Sequence, residues 1–126
     1  MSRAEDGPRS ADPTGLDRSP VDLDGLRFDD RGLIPVIAQD AESREVLMMA
    51  WANREALERT LDEGRMVYWS RSRQELWRKG DTSGHVQHWD RLRVDCDADV
   101  IVATIHQEGA ACHTGERSCF YRTLAR

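Results

Sequence analysis

The stretch that decides the fold is residues 33–64, LIPVIAQDAESREVLMMAWANREALERTLDEG. It opens with two short apolar runs, 33–38 and 45–51, which are separated by polar residues. That pattern predicts two strands joined by a turn. Asn53 then has the character of a helix N-cap, and Gly64 lies past the last helical turn. A helix is therefore predicted over 54–62.

The sequence after Gly64 predicts further strands and little helix. Alternating and β-branched residues late in the chain indicate a pair of antiparallel strands. The predicted elements are strands at 66–69, 88–96 and 100–106, a strand at 119–124 that closes the sheet, and a polar loop at 71–84 with a helical turn at 74–77. We therefore expect an α+β fold, built on a mainly antiparallel sheet with one firm helix.

The first 22 residues differ in composition from the rest of the chain. They mix Pro8, Pro13 and Pro20 with many charges and offer little apolar surface to bury. We expect a disordered tail at 1–22 and one domain at 23–126. No run is apolar enough to act as an export signal or to span a bilayer, so a cytoplasmic protein without a membrane partner is expected.

The charge balance restricts the possible partners. The formal net charge is -5, whereas proteins that bind phosphate backbones usually carry a basic surplus. We expect no nucleic-acid partner. Any anionic ligand must then be held by a local cluster of cations.

The chain has three cysteines, Cys96, Cys112 and Cys119, and this odd number in a sequence without an export signal argues against a disulfide framework. Cys112 and Cys119 bracket a polar loop that contains a glycine, where metal binding is a better explanation than packing. Three thiolates with an open fourth position suit a catalytic zinc ion, whereas a closed structural site would take His113 or His106 as its fourth ligand. The alternative is three buried thiols that pack as small apolar groups.

The acidic segment DCDAD contains Asp95, Asp97 and Asp99. Side chains alternate along a strand, so the three carboxylates would share one face and Cys96 would point the other way. Carboxylates prefer a hard ion such as Mg²⁺. On a regular strand Asp95 and Asp99 would lie about 13 Å apart, so either the strand bends near Ala98 or one carboxylate acts through water. The alternative is a solvated acidic strand end.

The segment WRKGDTSGHVQ, residues 77–87, has the composition of an anion-binding loop. Two glycines flank hydroxyl and basic side chains, so backbone N–H groups and cations could converge on a phosphate. Lys79 is the only lysine in the chain. The predicted phosphate-binding residues are Arg78, Lys79, Thr82, Ser83 and Gly84. The alternative is a charged surface loop with a coincidental lysine.

Read together, three motifs make the chain resemble the phosphoribosyl-AMP cyclohydrolase family over residues 33–122. They are WRKGDTSGHVQ (77–87), DCDAD (95–99) and CHTGERSCFY (112–121). The resemblance implies hydrolytic opening of the adenine ring of N1-(5-phosphoribosyl)-AMP at the N1–C6 bond. The product would be the formimino aminoimidazole carboxamide ribotide, in the third step of L-histidine biosynthesis.

The same resemblance implies two metal ions and an intertwined homodimer. Zinc would be bound by Cys96 of one subunit together with Cys112 and Cys119 of the other. Mg²⁺ would be bound by Asp95, Asp97 and Asp99.

Ring opening requires a group that accepts and donates protons. His113 is the first candidate because it adjoins a zinc ligand, and His106 and His85 are weaker ones. Lys79 is expected to serve both catalysis and substrate binding. For each histidine, a hydrogen-bonded structural role is the alternative.

Two rival functions fit parts of the sequence. A structural zinc module that binds RNA or a protein partner is favoured by the mixture of tryptophan and arginine over 69–78 and opposed by the acidic net charge. A zinc nucleobase deaminase would attack the equivalent ring carbon, but its signature of H-x-E followed by P-C-x-x-C does not occur in the sequence.

Overall fold

A computed structural model describes residues 14–126, and its elements follow the apolar runs of the sequence. The strands are β1 (Ile34–Asp40), β2 (Val46–Ala52), β3 (Val67–Ser70), β4 (Glu75–Arg78), β5 (Gln87–Val94) and β6 (Ile101–Gln107). Helix α1 spans Arg54–Glu63, and a short 3-10 helix spans Leu23–Gly25. The predicted α+β class is confirmed for the described part of the chain.

The six strands form one sheet in the order β4-β3-β2-β1-β6-β5. Only the β1–β6 pair is parallel among the pairs of this sheet, so the mainly antiparallel prediction is confirmed. The sheet also curls. Met66 N donates to Gln87 O at 3.0 Å and Trp89 N donates to Gly64 O at 3.2 Å, which brings the start of β5 beside the residues that precede β3.

Helix α1 is defined by its caps. Asn53 Oδ1 accepts a hydrogen bond from Ala56 N at 2.8 Å, and Gly64 adopts a φ of 75°, a left-handed conformation that suits glycine. The buried side of the helix, with Ala56 and Leu57, packs against β2 and β3. The predicted helix is confirmed, with one further residue at its C-terminal end.

β1 buries one of its two faces in the core. In β1 the side chains of Ile34, Val36 and Ala38 are fully buried and alternate with half-buried ones. This alternation follows from the two-residue period of a strand. It also places Asp40, the next residue of the series, on the buried face.

Two predicted elements are wrong. The helical turn at 74–77 is replaced by β4, because Gln74 takes a φ of 54° and donates from its N–H to Ser70 O at 2.8 Å. The chain thereby reverses in a tight turn and pairs with β3. The strand at 119–124 does not form either: Cys119 N donates to Leu47 O at 2.7 Å, but the residues after it belong to no strand and Leu124 is exposed.

The predicted tail, residues 1–22, lies partly outside the described residues, and residues 14–22 belong to no helix or strand. Within residues 14–126, none of the helices combines the length and apolar character needed to cross a membrane. The cytoplasmic location, the absence of nucleic-acid and membrane partners, and the intertwined homodimer stay predictions.

Candidate active site

Two loops enclose a cavity of about 400 Å³, here named the Lys79 cavity. One loop follows β4 and the other follows β6. The cavity is lined by the predicted residues Lys79, Thr82, Ser83, His85, Cys112 and His113, and by Arg73, Trp77, Gly80, Ala110 and Gly115. Side chains from two separate motifs of the sequence therefore meet at one place.

Lys79 is the buried cation of this cavity. Its backbone N–H donates to Met66 O at 3.0 Å, so β4 ends with the side chain turned inward and only 7% exposed. Nζ donates to Ala111 O at 2.7 Å and lies 5.1 Å from the ring centroid of Trp77. Burial lowers the pKa of Lys79, and the neighbouring thiolates of Cys119 and Cys112 oppose that shift.

Gly80 shapes the loop beside Lys79. It has a φ of 91°, and a Cβ at this position would lie 2.5 Å from the backbone of Val86. No other residue fits there. Gly84 N donates to Gly80 O at 2.8 Å, and this closed loop presents Thr82 and Ser83 as exposed hydroxyls at the rim.

Residues 111–119, named here the cysteine loop, bring two thiols together. Cys112 and Cys119 share a side-chain hydrogen bond, and Thr114 Oγ1 donates to Cys112 Sγ at 3.0 Å. The hydrogen bonds from Thr114 lower the pKa of Cys112, whereas burial and the bond with Cys112 raise the pKa of Cys119. Without a cation the two thiolates oppose each other, so this donor pair fits a soft metal ion such as zinc.

The cysteine loop is tied to the sheet by Arg117. Its guanidinium donates to Asp40 Oδ1 at 2.9 Å and to Glu45 Oε1 at 3.1 Å. Ser118 Oγ also donates to Val46 O at 2.8 Å. The backbone N–H of Ser43, and then that of Glu42, outweigh burial and lower the pKa of Asp40. The sequence-based prediction missed Asp40, although an aspartate on the buried face of a strand is itself a signal.

Residues 95–99, named here the acidic turn, bring Asp95, Asp97 and Asp99 together. One carboxylate oxygen from each lies within 4.8 Å of those of the others. β5 ends at Val94, before the predicted position 96, and Ala98 takes a φ of 64°. The bend near Ala98, one of the two alternatives left open by the sequence, is therefore the one observed.

Hydrogen bonds stabilise the acidic turn from within. Asp95 Oδ1 accepts from the backbone N–H groups of Asp99 at 3.0 Å and Val100 at 3.2 Å. Desolvation raises the pKa of Asp95, but these N–H groups outweigh it and lower the net value. The hydrogen bond with Asp97 raises the pKa of Asp99. Three carboxylates this close together repel one another when all are ionised. Such a cluster of oxygen donors fits a hard cation such as Mg²⁺.

The three cysteines do not meet within one chain. Cys96 is exposed in the acidic turn, whereas Cys112 and Cys119 are in the cysteine loop. Among residues 14–126, the acidic turn is the only group of three or more potential metal ligands whose donor atoms converge. A zinc ion held by all three thiolates would therefore need ligands from two copies of the chain.

Three of the residues predicted to bind substrate or to act in catalysis do not line the Lys79 cavity. Arg78 donates to Asp81 at 2.8 Å and to Glu63 at 2.9 Å. Gly84 is exposed in the loop that follows β4, and His106 is exposed on β6. Their roles in binding and catalysis stay predictions.

Comparison with known proteins agrees with the three motifs. The family model for phosphoribosyl-AMP cyclohydrolase matches residues 48–121. The chain belongs to the phosphoribosyl-AMP cyclohydrolase family. Members of this family are hydrolases, and the matched residues include the Lys79 cavity, the acidic turn and the cysteine loop. The resemblance inferred from the sequence is therefore confirmed.

Similar cyclohydrolases occur in diverse organisms. The phosphoribosyl-AMP cyclohydrolase of Bordetella petrii is 58% identical over 110 residues, which are 86% of this chain and 82% of that protein. That of Dinoroseobacter shibae is 62% identical over 99 residues, or 79% and 83% of the two chains. That of Salinibacter ruber is 61% identical over 103 residues, or 82% and 81%.

Proposed function

We propose that this chain opens the adenine ring of N1-(5-phosphoribosyl)-AMP by hydrolysis of the N1–C6 bond, in the third step of L-histidine biosynthesis. Membership of the phosphoribosyl-AMP cyclohydrolase family carries this proposal. It is supported by a cavity in which a buried cation, a thiol and an imidazole lie together. The substrate is a small nucleotide with two phosphate groups, so cationic and hydroxyl side chains are needed to bind it.

The cysteines are proposed to bind zinc. Cys112 and Cys119 would supply two thiolates from one subunit and Cys96 the third from its partner, within a homodimer. The adjacent thiols and the lowered pKa of Cys112 support this assignment. When bound in this way, zinc supplies hydroxide near neutral pH because it lowers the pKa of a bound water molecule.

The acidic turn is proposed to bind Mg²⁺ through Asp95, Asp97 and Asp99. The convergent carboxylate oxygens and the raised pKa of Asp99 support this assignment. A hard cation there would offset the repulsion among the three carboxylates. The bound cation would offset most of the negative charge of the turn, so the turn would repel an anionic substrate less.

The remaining groups of the Lys79 cavity are proposed to bind substrate and to transfer protons. A C–O bond forms at C6 as water adds, the N1–C6 bond breaks, and N1 takes a proton. His113 is exposed at the cavity and adjoins Cys112, so its imidazole is placed to accept the proton from water and return it to N1. Thr82 and Ser83 would donate hydrogen bonds to a phosphate, and the ammonium of Lys79 would add positive charge.

An absorbance assay tests the proposal. Purified protein is incubated with N1-(5-phosphoribosyl)-AMP with and without a zinc chelator, and the product is identified by mass spectrometry. We expect turnover that the chelator abolishes and added zinc restores, with no release of ammonia. Ammonia release would indicate deamination instead, and absence of turnover by zinc-loaded protein would contradict the proposal.

A further inference from the structure

A second cavity of about 400 Å³, named here the arginine cavity, lies outside the site described above. Its walls are formed by Arg31, Leu33, Asn53, Trp69, Arg71 and Gln74. These walls carry two guanidinium groups and, within the described chain, no carboxylate. A cavity with this charge favours an anion.

The arginine cavity combines its positive charge with aromatic surface. Trp51 and Trp69 are paired across β2 and β3, so their side chains lie on the same face of the sheet. Arg71 lies 4.9 Å from the centroid of the Trp51 ring, and such stacking orders a guanidinium before any ligand arrives. Within residues 14–126 no carboxylate forms an ion pair with Arg31 or Arg71.

The arginine cavity continues towards the acidic turn. An adjoining space of about 110 Å³ shares Arg31 and Arg71 with it and reaches Trp51. A third space shares Trp51 with the second and reaches Asp99. These three neighbouring spaces share wall residues, and we refer to them together as the groove between the end of β3 and the acidic turn.

Two further carboxylates face the middle of this groove and bear on the binding of an anion. Asp29 Oδ1 accepts hydrogen bonds from the backbone N–H groups of Arg31 and Leu33, both at 2.9 Å, so its charge is directed towards its own loop. Asp30 lines the 110 Å³ space and not the arginine cavity. The anion is therefore expected in the arginine cavity itself, beyond both aspartates.

One turn connects this groove to the Lys79 cavity. Residues 71–74 join β3 to β4, and the turn directs Arg71 into the arginine cavity and Arg73 into the Lys79 cavity. Gln74 Nε2 donates to Arg71 O at 2.7 Å and stabilises the turn. A ligand with two phosphates could thus be contacted on both sides of a single rigid turn.

We propose that the arginine cavity binds a phosphate monoester of a nucleotide, through Arg71 and Arg31, while the indole of Trp69 packs against the attached sugar or base. The identity of the ligand rests on the proposed function: the cavity would hold one of the two phosphates of the substrate, and the Lys79 cavity the other. Guanidinium groups suit this role because they bind phosphate oxygens in pairs.

The test uses 5′-AMP as the probe, with adenosine as the ligand that lacks the phosphate. Binding is followed by tryptophan fluorescence, and Trp69→Phe establishes whether the signal comes from this cavity. Loss of a hydrogen bond between charged groups weakens binding about tenfold to a hundredfold. We therefore expect Arg71→Ala to raise the Kd for AMP by that factor and to leave adenosine binding unchanged. Arg71→Lys should lie between Arg71→Ala and the wild type.

Arg91→Ala is the matched control, because Arg91 is an exposed arginine on β5 that lines neither cavity. It should bind AMP like the wild type. The inference is overturned if AMP and adenosine bind equally well, or if Arg71→Ala retains wild-type affinity. It is also overturned if Lys79→Ala abolishes the fluorescence change on AMP binding while Arg71→Ala retains it.

Turnover of N1-(5-phosphoribosyl)-AMP separates this inference from the proposed function. If the wild type turns over this substrate and Arg71→Ala has an unchanged KM, the second phosphate site is wrong and the proposed function stands. If the wild type has no turnover yet binds AMP through Arg71, the proposed function is wrong and the anion site stands.

Discussion

The cysteine loop and the acidic turn hold their candidate ligands in different ways. The cysteine loop depends on distant parts of the chain: Arg117 is bound by Asp40 and Glu45, and Lys79 donates to Ala111 O. The acidic turn depends mostly on itself: Asp95 Oδ1 accepts from the backbone N–H groups of Asp99 and Val100, and one long-range hydrogen bond, from Arg27 N to Ala98 O at 2.7 Å, adds to these. One site is therefore fixed by tertiary contacts and the other mainly by local hydrogen bonds.

This difference determines which substitutions should disturb each site. Changes far away in sequence can displace the thiols of the cysteine loop, since its anchors lie in β1, at the start of β2 and just after β4. The acidic turn should tolerate most such changes, because the hydrogen bonds to the Asp95 carboxylate come from residues 99 and 100. Each prediction below tests this contrast, beginning with the largest effect.

Loss of a thiolate should have the largest effect. We expect Cys112→Ala and Cys119→Ala each to abolish turnover and to lower the bound zinc, since each removes one of three proposed ligands. Zinc content by mass spectrometry and turnover by absorbance provide the measurements. Stoichiometric zinc with normal activity in either variant would exclude the proposed zinc site.

Mixing inactive variants tests whether the two regions meet across subunits. Cys96→Ala lacks the thiol of the acidic turn, and Cys112→Ala lacks one of the cysteine loop. In a heterodimer with a shared site, one site keeps all three cysteines, so part of the activity should return on mixing. If subunit exchange is verified by mass spectrometry and no activity returns, the two subunits do not share ligands.

Lys79 tests the dependence of the cysteine loop on remote anchors. Lys79→Ala removes the hydrogen bond to Ala111 O and the charge near both thiols. Loss of this anchor should weaken zinc binding. Lys79 is also proposed to add positive charge where a phosphate binds, and a charge-assisted hydrogen bond contributes about 1.5–3 kcal/mol, so kcat/KM should fall about tenfold to a hundredfold.

Asp97→Asn is the matched control in the acidic turn. It should reduce the response to Mg²⁺ and leave zinc affinity unchanged. Equal zinc affinity in Lys79→Ala and the wild type would show that the cysteine loop does not need this anchor.

Substitution of Asp40 should have the smallest effect, and the size of this effect depends on pH. The folded protein lowers the pKa of Asp40 below its ordinary value of 3.8, so the carboxylate stabilises the fold above that pH. This stabilisation is lost as the pH falls through the folded-state pKa. We expect Asp40→Asn to lower the free energy of unfolding at pH 7, and the difference from the wild type to shrink below about pH 4.

Urea denaturation at pH 7 and below about pH 4 measures the free energy of unfolding of Asp40→Asn and of the wild type. Glu42→Gln, an exposed change in the same turn, is the control and should have little effect at either pH. A constant difference between Asp40→Asn and the wild type across this range would contradict the assignment.

Local features of the fold could be predicted from the sequence, and long-range ones could not. The caps Asn53 and Gly64 specify α1 because their hydrogen bonds and dihedral angles are local. β4 was missed because the turn before it requires a left-handed conformation at Gln74, and a glutamine does not predict one. The β1–β6 pairing was missed because no local pattern identifies which strands become neighbours.

The candidate site shows the same division. The sequence brought Cys112 and His113 together because they are adjacent, and it grouped the three aspartates by their spacing. It placed Lys79 in an anion-binding loop but did not predict its burial, which the structure shows. Burial of Lys79 accompanies its backbone hydrogen bond to Met66, a contact between residues that flank β4 and β3 and are far apart in the sequence. The anchoring role of Asp40 likewise depends on a partner far along the chain.

The parallel pairing of β1 with β6 also affects how the chain folds during translation. β1 leaves the ribosome early and pairs at once with β2, but its other edge must wait for β6, where Val36 aligns with Ile101. Until then an edge rich in isoleucine and valine is unpaired, and such edges promote aggregation. This topology implies that the nascent chain depends on chaperones more than the finished chain does.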